Sequence, residues 1–212
     1  MRKGKISTAV IRRLPRYYRH LDDLYRAGVV RVSSSALAGD MGLTASQIRQ
    51  DFSCFGEFGQ QGYGYNVERL RGEIAEILGM DRDHTAVLLG AGNLGRALLE
   101  NFPFQKYGFR LEAAFDIDPS LVGGELGGVR VYHRDEIGTF LRTHPVDVGI
   151  LTVPGAAAAW AAGLLAGGGV KGIWNFTNVE LPEDELPGVQ VENIHFSDSL
   201  LTLSYFISEE RP

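Results

Sequence analysis

An α/β architecture, with a small helical domain ahead of a parallel sheet, is what this 212-residue sequence predicts, and three observations carry it. The first is Thr85-Ala86-Val87-Leu88-Leu89-Gly90-Ala91-Gly92-Asn93-Leu94-Gly95, where an apolar run flows into G-x-G-x-x-G and then into a helix-like segment. The second is a further apolar run, Phe109 to Phe115, that ends in Asp116, 21 residues beyond Gly95. The third is the first 80 residues, which hold short capped helical segments and an aromatic-glycine stretch in place of alternating strands and helices. Together they predict a winged helix-turn-helix over residues 1–80, a Rossmann-type parallel-sheet domain over 81–196, and a C-terminal helix, 197–212, that packs into a partner subunit.

Each glycine of the loop has a task in that fold. Gly90 permits the turn, Gly92 lets a pyrophosphate approach the backbone, and Gly95 lets the helix lie close on its strand. The phosphates then face unpaired amide N–H groups at a helix N-terminus, where the dipole favours negative charge. A carboxylate ending the second strand holds ribose hydroxyls and disfavours a 2′-phosphate, so the expected cofactors are NADH and NAD+. Gly90, Ala91, Gly92, Asn93, Leu94, Gly95, Asp116 and Asp118 are the expected contacts at this end.

Charge is distributed unevenly. Residues 1–80 carry 12 Lys+Arg against 8 Asp+Glu, the rest 9 against 18, and the first 31 residues alone 9 against 2. A basic arm ahead of an acidic domain suits a polyanion for the first part only. A single cysteine, Cys54, excludes an internal disulfide framework and fits a reducing cytoplasm; it reads as a small buried side chain. The five histidines show no ligand spacing with it, so no metal site is expected. Residues 148–170 are uncharged, but Pro154-Gly155 and Gly167-Gly168-Gly169 interrupt them, so strand, turn and helix are expected rather than a membrane span.

In the first domain, Ser7 caps a short helix through Leu14, and Pro15 opens a second that stops at Gly28. Ser33-Ser34-Ser35 caps a short helix ending near Gly42, and Thr44 caps another from Ala45 to Ser53. Two such helices make a helix-turn-helix, whose second member exposes Ser46, Gln47, Arg49 and Gln50, with Arg and Gln able to read base edges bidentately. The aromatic-glycine stretch from Phe55 to Tyr65 then reads as a wing with its tip at Gln60-Gln61. Lys3, Lys5, Arg12, Arg13, Arg16, Ser53 and Tyr65 join these as expected contacts to double-stranded DNA. A helix from Val67 to Leu78 closes the domain.

In the second domain, Val129–Tyr132, Val146–Thr152, Ile173–Phe176 and Val189–Ile194 read as strands, and Asp135 caps a helix from Glu136 to Arg142. Ligands lie beyond the carboxyl ends of parallel strands, where Thr152, Val153 and Pro154 and then Asn175 and Phe176 stand; ligand contacts and ordinary strand-end turns are both open there. An apolar pocket near Phe102, Val153 and Pro154 would favour the neutral ring of NADH over the cationic ring of NAD+. The final helix, Leu200 to Ile207, is apolar around most of its circumference and so should be buried on several sides, in a homodimer that supplies two half-sites.

The motifs taken together, Ala45-Ser46-Gln47-Ile48-Arg49-Gln50-Asp51-Phe52, Cys54-Phe55-Gly56-Glu57-Phe58-Gly59, the glycine loop, Phe115-Asp116-Ile117-Asp118-Pro119, Leu151-Thr152-Val153-Pro154 and Gly172-Ile173-Trp174-Asn175-Phe176, resemble the bacterial redox-sensing transcriptional repressor family Rex over essentially the whole chain. The resemblance implies a homodimer that binds a palindromic operator when NADH is scarce and leaves it when NADH binds, with target genes for fermentation, respiration and NADH reoxidation. It also implies a switch in which Arg19 matches an arginine that couples the cofactor to the DNA-binding domain. Asn101 and His195 stand where the family has a tyrosine and an aspartate, with Asp198 close by as a substitute. Gln50 and Gln60-Gln61 replace lysine and a Lys-Arg tip. The alternatives are a small NAD-dependent oxidoreductase, which lacks a substrate domain and an assigned acid/base pair, and a coenzyme A-binding module, against which Asp116 and the winged helix both count.

Overall fold

Two compact units, Met1–Asp81 and Arg82–Pro212, make up the chain, and the computed structural model describes residues 6–56, 58 and 63–209. In the first unit, α1 (Thr8–Arg26) is capped by Ser7, whose hydroxyl accepts from Val10 N at 3.4 Å. One helix stands where the sequence predicts two. Pro15 lies on its exposed side, and Ile11, whose carbonyl loses an N–H partner to the proline, is 48% exposed, so water can serve that carbonyl. Val10, Leu14, Tyr17, Tyr18 and Leu21 form the buried stripe.

The chain continues through β1 (Arg31–Val32), α2 (Ser34–Met41), α3 (Ala45–Ser53), β2 (Tyr65–Asn66) and α4 (Val67–Ile77), which packs on α1. Ser33 and Thr44 cap α2 and α3 by accepting from Ala36 N at 3.0 Å and Gln47 N at 3.1 Å, as their spacing predicts. Between them Gly42 takes φ +65°, the left-handed turn that ends α2. Tyr65–Asn66 pairs antiparallel with Arg31–Val32, a strand too short to carry any readable alternation. The wing tip Gln60-Gln61 lies outside the described residues, as do Lys3 and Lys5.

The second unit is a sheet with helices on both faces: β3 (His84–Leu89), α5 (Asn93–Asn101), β4 (Phe109–Asp116), β5 (Glu125–Leu126), β6 (Val129–His133), α6 (Ile137–Thr143), β7 (Val148–Leu151), α7 (Ala158–Gly167), β8 (Gly172–Asn175), β9 (Gln190–Asn193) and α8 (Phe196–Glu209). Strand order is β5-β6-β4-β3-β7-β8-β9, with every neighbour parallel except the short β5 against β6. From β6 onward the strands follow the doubly wound order, which reverses between β3 and β7 and opens a crevice at their carboxyl ends. Two apolar layers fill the faces, one around Val87, Phe115, Leu151 and Leu165, the other around Leu88, Leu99, Phe104 and Ile150.

One expectation changes here and one holds. His133, not Asp135, caps the turn before α6: its ring accepts from Asp135 N at 3.4 Å while Glu136 accepts from His133 N at 3.0 Å. The uncharged segment 148–170 is β7, a turn and α7, and no helix among the described residues is long and apolar enough to cross a membrane. The last helix, expected to pack into a partner subunit, is exposed along its described length in the single chain, with Leu200 66%, Leu201 67% and Phe206 58% accessible.

Candidate functional site

On α3, Ile48 and Phe52 are buried while Ser46, Arg49, Gln50 and Ser53 are exposed. Helical periodicity separates the two sets, so the surface that would meet a groove is readable from spacing alone. Arg49 Nη1 donates to Ser34 Oγ at 2.9 Å, joining the exposed face of α3 to the start of α2. Arg12 is exposed on α1, and Arg16 Nη2 donates to the carbonyl of Met41 at 3.0 Å, closing the end of α2.

Other expected DNA contacts have different tasks. Asp51, fully buried on α3, accepts from Arg13 Nε and Nη2 at 2.6 and 2.8 Å, from Tyr17 Oη at 2.6 Å and from Gln47 Nε2 at 2.8 Å. Arg13 and Gln47 therefore spend their donors inside the unit, and the hub joins α1 to α3. Burial would raise the Asp51 carboxyl, but the hydrogen bonds from Arg13, Tyr17 and Gln47 and the charge of Arg13 hold it below the usual carboxylate range. Burial and Asp51 push the Tyr17 hydroxyl upward, so it stays a donor. Tyr65 is another correction: it is 8% exposed, with its ring 5.3 Å from that of Phe52. The exposed tyrosine is Tyr63, 69% accessible, with the Arg31 guanidinium 6.0 Å from its ring. Alternating aromatics do not reveal which member faces inward when a glycine stands between them. Cys54, expected to be buried, is exposed, because it follows α3 at the capping position.

In the second unit the glycine loop has the predicted form. Gly90 takes φ +95°, and a Cβ there would stand 2.8 Å from the Thr152 carbonyl. A Cβ on Gly95 would collide with the Gly90 carbonyl oxygen. Gly92 by contrast has open space beside it and no side chain to cap α5, so the first-turn amides stay available to an anion. Asp116 Oδ2 accepts from Ala91 N at 2.6 Å and Oδ1 from Ile117 N at 2.7 Å and Asp118 N at 2.9 Å, which fixes the carboxylate against the loop. Asn93 is exposed and Leu94 half-buried on the first turn of α5. Asp118 accepts from Ser120 N at 2.8 Å; those bonds, with Arg96 nearby, keep its carboxyl low.

The remaining cofactor candidates divide. Thr152 Oγ lies 2.7 Å from the Gly90 carbonyl and 3.1 Å from that of Leu89, so its hydroxyl secures the turn. Asn175 is fully buried with its amide used internally: Nδ2 donates to Val179 O and Asn193 Oδ1, and Oδ1 accepts from Thr177 N and Oγ. Its part is to shape the strand end rather than to reach outward. Val153 and Pro154 border a cavity of about 100 Å³ beside Asp116 and Gly90, together with Ile117, Arg134 and Trp160, three residues that sequence reasoning missed. They come from just past the end of β4, the turn after β6 and helix α7, and no local spacing connects them. Phe102 is not among that cavity's walls. It packs against Phe104, Tyr107 and Trp174, and Phe176 continues the cluster from Trp174.

Of the switch candidates, Arg19 is exposed on α1 beside Arg16, His20 and Asp23 in a polar notch. In the second unit, Asn101 Nδ2 donates to Ala97 O at 3.1 Å, His195 Nε2 lies 3.0 Å from Glu180 Oε2, and Asp198 is exposed in the first turn of α8. Glu180 was not anticipated as the partner of His195.

Comparison with known proteins agrees with both units. Residues 5–53 match the family described as Putative DNA-binding protein N-terminus, and residues 81–179 match the CoA binding domain. A redox-sensing transcriptional repressor Rex of Clostridium tetani (strain Massachusetts / E88) is 49% identical over 209 residues, 99% of this chain and 98% of the relative. The Rex of Caldicellulosiruptor bescii is 49% identical over 210 residues, 99% and 95% of the two chains. Among solved structures, RSP in complex with β-NAD+ and operator DNA superposes with a TM-score of 0.90 at 46% identity, covering 98% of this chain and 94% of that one. RSP, a Rex-family repressor, and RSP with β-NADH each give 0.88, at 44% and 43% identity, covering 98% of this chain and 96% of theirs. With the helix-turn-helix, the glycine loop and the acid ending β4 all in place and relatives matched over nearly their full length, the chain belongs to the Rex family of redox-sensing transcriptional repressors.

Proposed function

We infer that this chain is a transcriptional repressor that reads the NADH/NAD+ ratio, holding a palindromic operator as a homodimer when NADH is scarce and releasing it when NADH binds. One observation carries the reading: a single chain joins a helix-turn-helix exposing Arg49 and Gln50 to a glycine loop whose acid, Asp116, is clamped on the Ala91 amide at 2.6 Å. RSP complexes with β-NAD+ and operator DNA and with β-NADH support it. It is a regulator rather than an enzyme, working in the cytoplasm where operator and cofactor meet.

The parts divide as residues 1–80 for DNA, 81–196 for the cofactor and 197–212 for pairing with a second copy. Ser46, Arg49, Gln50 and Ser53 face the bases and Arg12 and Arg16 the backbone. Amides of Gly92, Asn93 and Leu94 would hold the pyrophosphate, and Asp116 the ribose hydroxyls. NADH and NAD+ differ chiefly at the nicotinamide, so the side chains around that ring must separate them. The apolar rings of Phe102 and Phe176, joined through Trp174, would disfavour a cationic ring packed against them by depriving it of water. Release follows from unequal affinity for two dimer arrangements, with Arg19, Asn101, His195 and Asp198 as the coupling residues. For coenzyme A, the Asp116 carboxylate would repel the ribose phosphate.

The test is operator binding at fixed total cofactor while the NADH share is varied. Binding should fall as NADH rises; equal binding at every ratio would overturn the reading.

A further inference from the structure

The cavity beside Asp116 follows from the order of groups along the sheet's carboxyl edge. With the phosphates at the Gly90–Gly95 turn and the ribose at Asp116, as the dinucleotide reading has them, the next position outward, past Ile117, is the one left for the adenine ring. That position is the cavity of about 100 Å³ bordered by Leu89, Phe115, Val153, Pro154 and Ala157. These walls are apolar, as a flat heteroaromatic ring requires.

Its rim is built from three large side chains that stand partly in solvent. Ile117 is 61% exposed just after β4, and Trp160 is 47% exposed on α7. Arg134, in the turn after β6, holds its guanidinium 5.3 Å over the Trp160 ring and its Nε 3.5 Å from Asp135 Oδ1. An exposed tryptophan gains little from folding, whereas one that also borders an apolar slot offers a rigid face for stacking. The guanidinium above it holds the indole in place by a cation–π contact and adds a second planar group to the rim.

We propose that Trp160, held by Arg134, is the residue that grips the adenine ring of the dinucleotide, setting affinity for both redox forms alike and leaving their discrimination to the nicotinamide end. The proposal rests on the dinucleotide reading above. It assigns to the adenosine end a contact that acts equally on NADH, NAD+ and ADP-ribose.

The chain has two tryptophans, Trp160 and Trp174, and the second packs against Phe102 and Phe176 away from this cavity. In Trp174→Phe, the remaining indole should therefore change its emission when ADP-ribose is added. Trp160→Ala should raise the Kd for NADH and for NAD+ together by about tenfold. Trp160→Phe should keep most of the affinity. Melting temperature and cofactor-free operator binding should stay unchanged, which a structural role for the indole would not allow. Normal NADH affinity in Trp160→Ala, or emission that ignores ADP-ribose while the same variant binds it by calorimetry, would overturn the proposal and leave the dinucleotide reading intact. Absence of NADH binding in the unsubstituted protein would overturn both.

Discussion

Arg13 and Asp51 stand 38 residues apart in sequence and meet in a two-pronged ion pair, 2.6 and 2.8 Å, that fastens the first helix to the helix presenting Arg49. Tyr17 and Gln47 complete the shell around the buried carboxylate. Removing the acid leaves Arg13 without its partner in a half-buried place, so Asp51→Ala should cost the first unit about 3–5 kcal/mol. The check is chemical denaturation of residues 1–80 within the full chain, followed by a probe on α1; unchanged stability would refute the hub.

The same carboxylate sets an acid limit. Its folded pKa is depressed, so its stabilisation is present above the unfolded value of about 4 and is lost as pH falls through the lower folded value. Melting curves of the unsubstituted protein should lose stability on that acid side, and Asp51→Asn should be less stable near neutrality with a shallower acid slope. Parallel pH profiles for the two proteins would count against this.

Arg49 and Arg12 should separate specificity from attraction. Arg49→Ala should cost about 1–3 kcal/mol on the operator and relax base preference, whereas Arg12→Ala should weaken operator and random DNA alike. Equal losses on both DNAs for Arg49→Ala would remove it from base reading.

The loop glycines should fail differently. Gly95→Ala drives a methyl into the Gly90 carbonyl and should distort the turn and lower stability. Gly92→Ala meets open space, so the fold should survive while NADH binding drops, because the methyl occupies the approach of the pyrophosphate. Calorimetric titration with NADH beside a thermal melt distinguishes them; full NADH affinity in Gly92→Ala would place the pyrophosphate elsewhere.

The exposed last helix should be the pairing element. Removal of residues 197–212 takes away Leu200, Leu201, Leu203, Tyr205, Phe206 and Ile207, all more than half exposed, and should yield monomers or aggregate in sedimentation. A well-folded dimer after truncation would show that another surface holds the pair.

Much of this protein is legible from sequence because its signals are local. The caps at Ser7, Ser33 and Thr44, the strand before Gly90 and the acid ending Phe109–Phe115 depend on neighbours a few residues away, and the structure repeats them. The glycines are legible for the same reason: a positive φ at Gly90 and the close approach at Gly95 are demands of one tight turn.

What the sequence by itself determined is therefore the order of elements, the exposed face of α3 and the chemistry at both ends of the glycine loop. Tertiary structure alone decided which polar side chains remain available. Arg13 and Arg49 look alike in a list of basic residues, yet one is enclosed by Asp51 and the other is exposed. Asn175 looks like a ligand residue until Val179, Asn193 and Thr177 take its amide, and Trp160 gains a role only when Arg134 and Asp116 arrive from other segments of the chain. The reason is physical: a cap or a turn is satisfied within one stretch of chain, whereas burial and hydrogen-bond partners are shared among segments that only folding brings together.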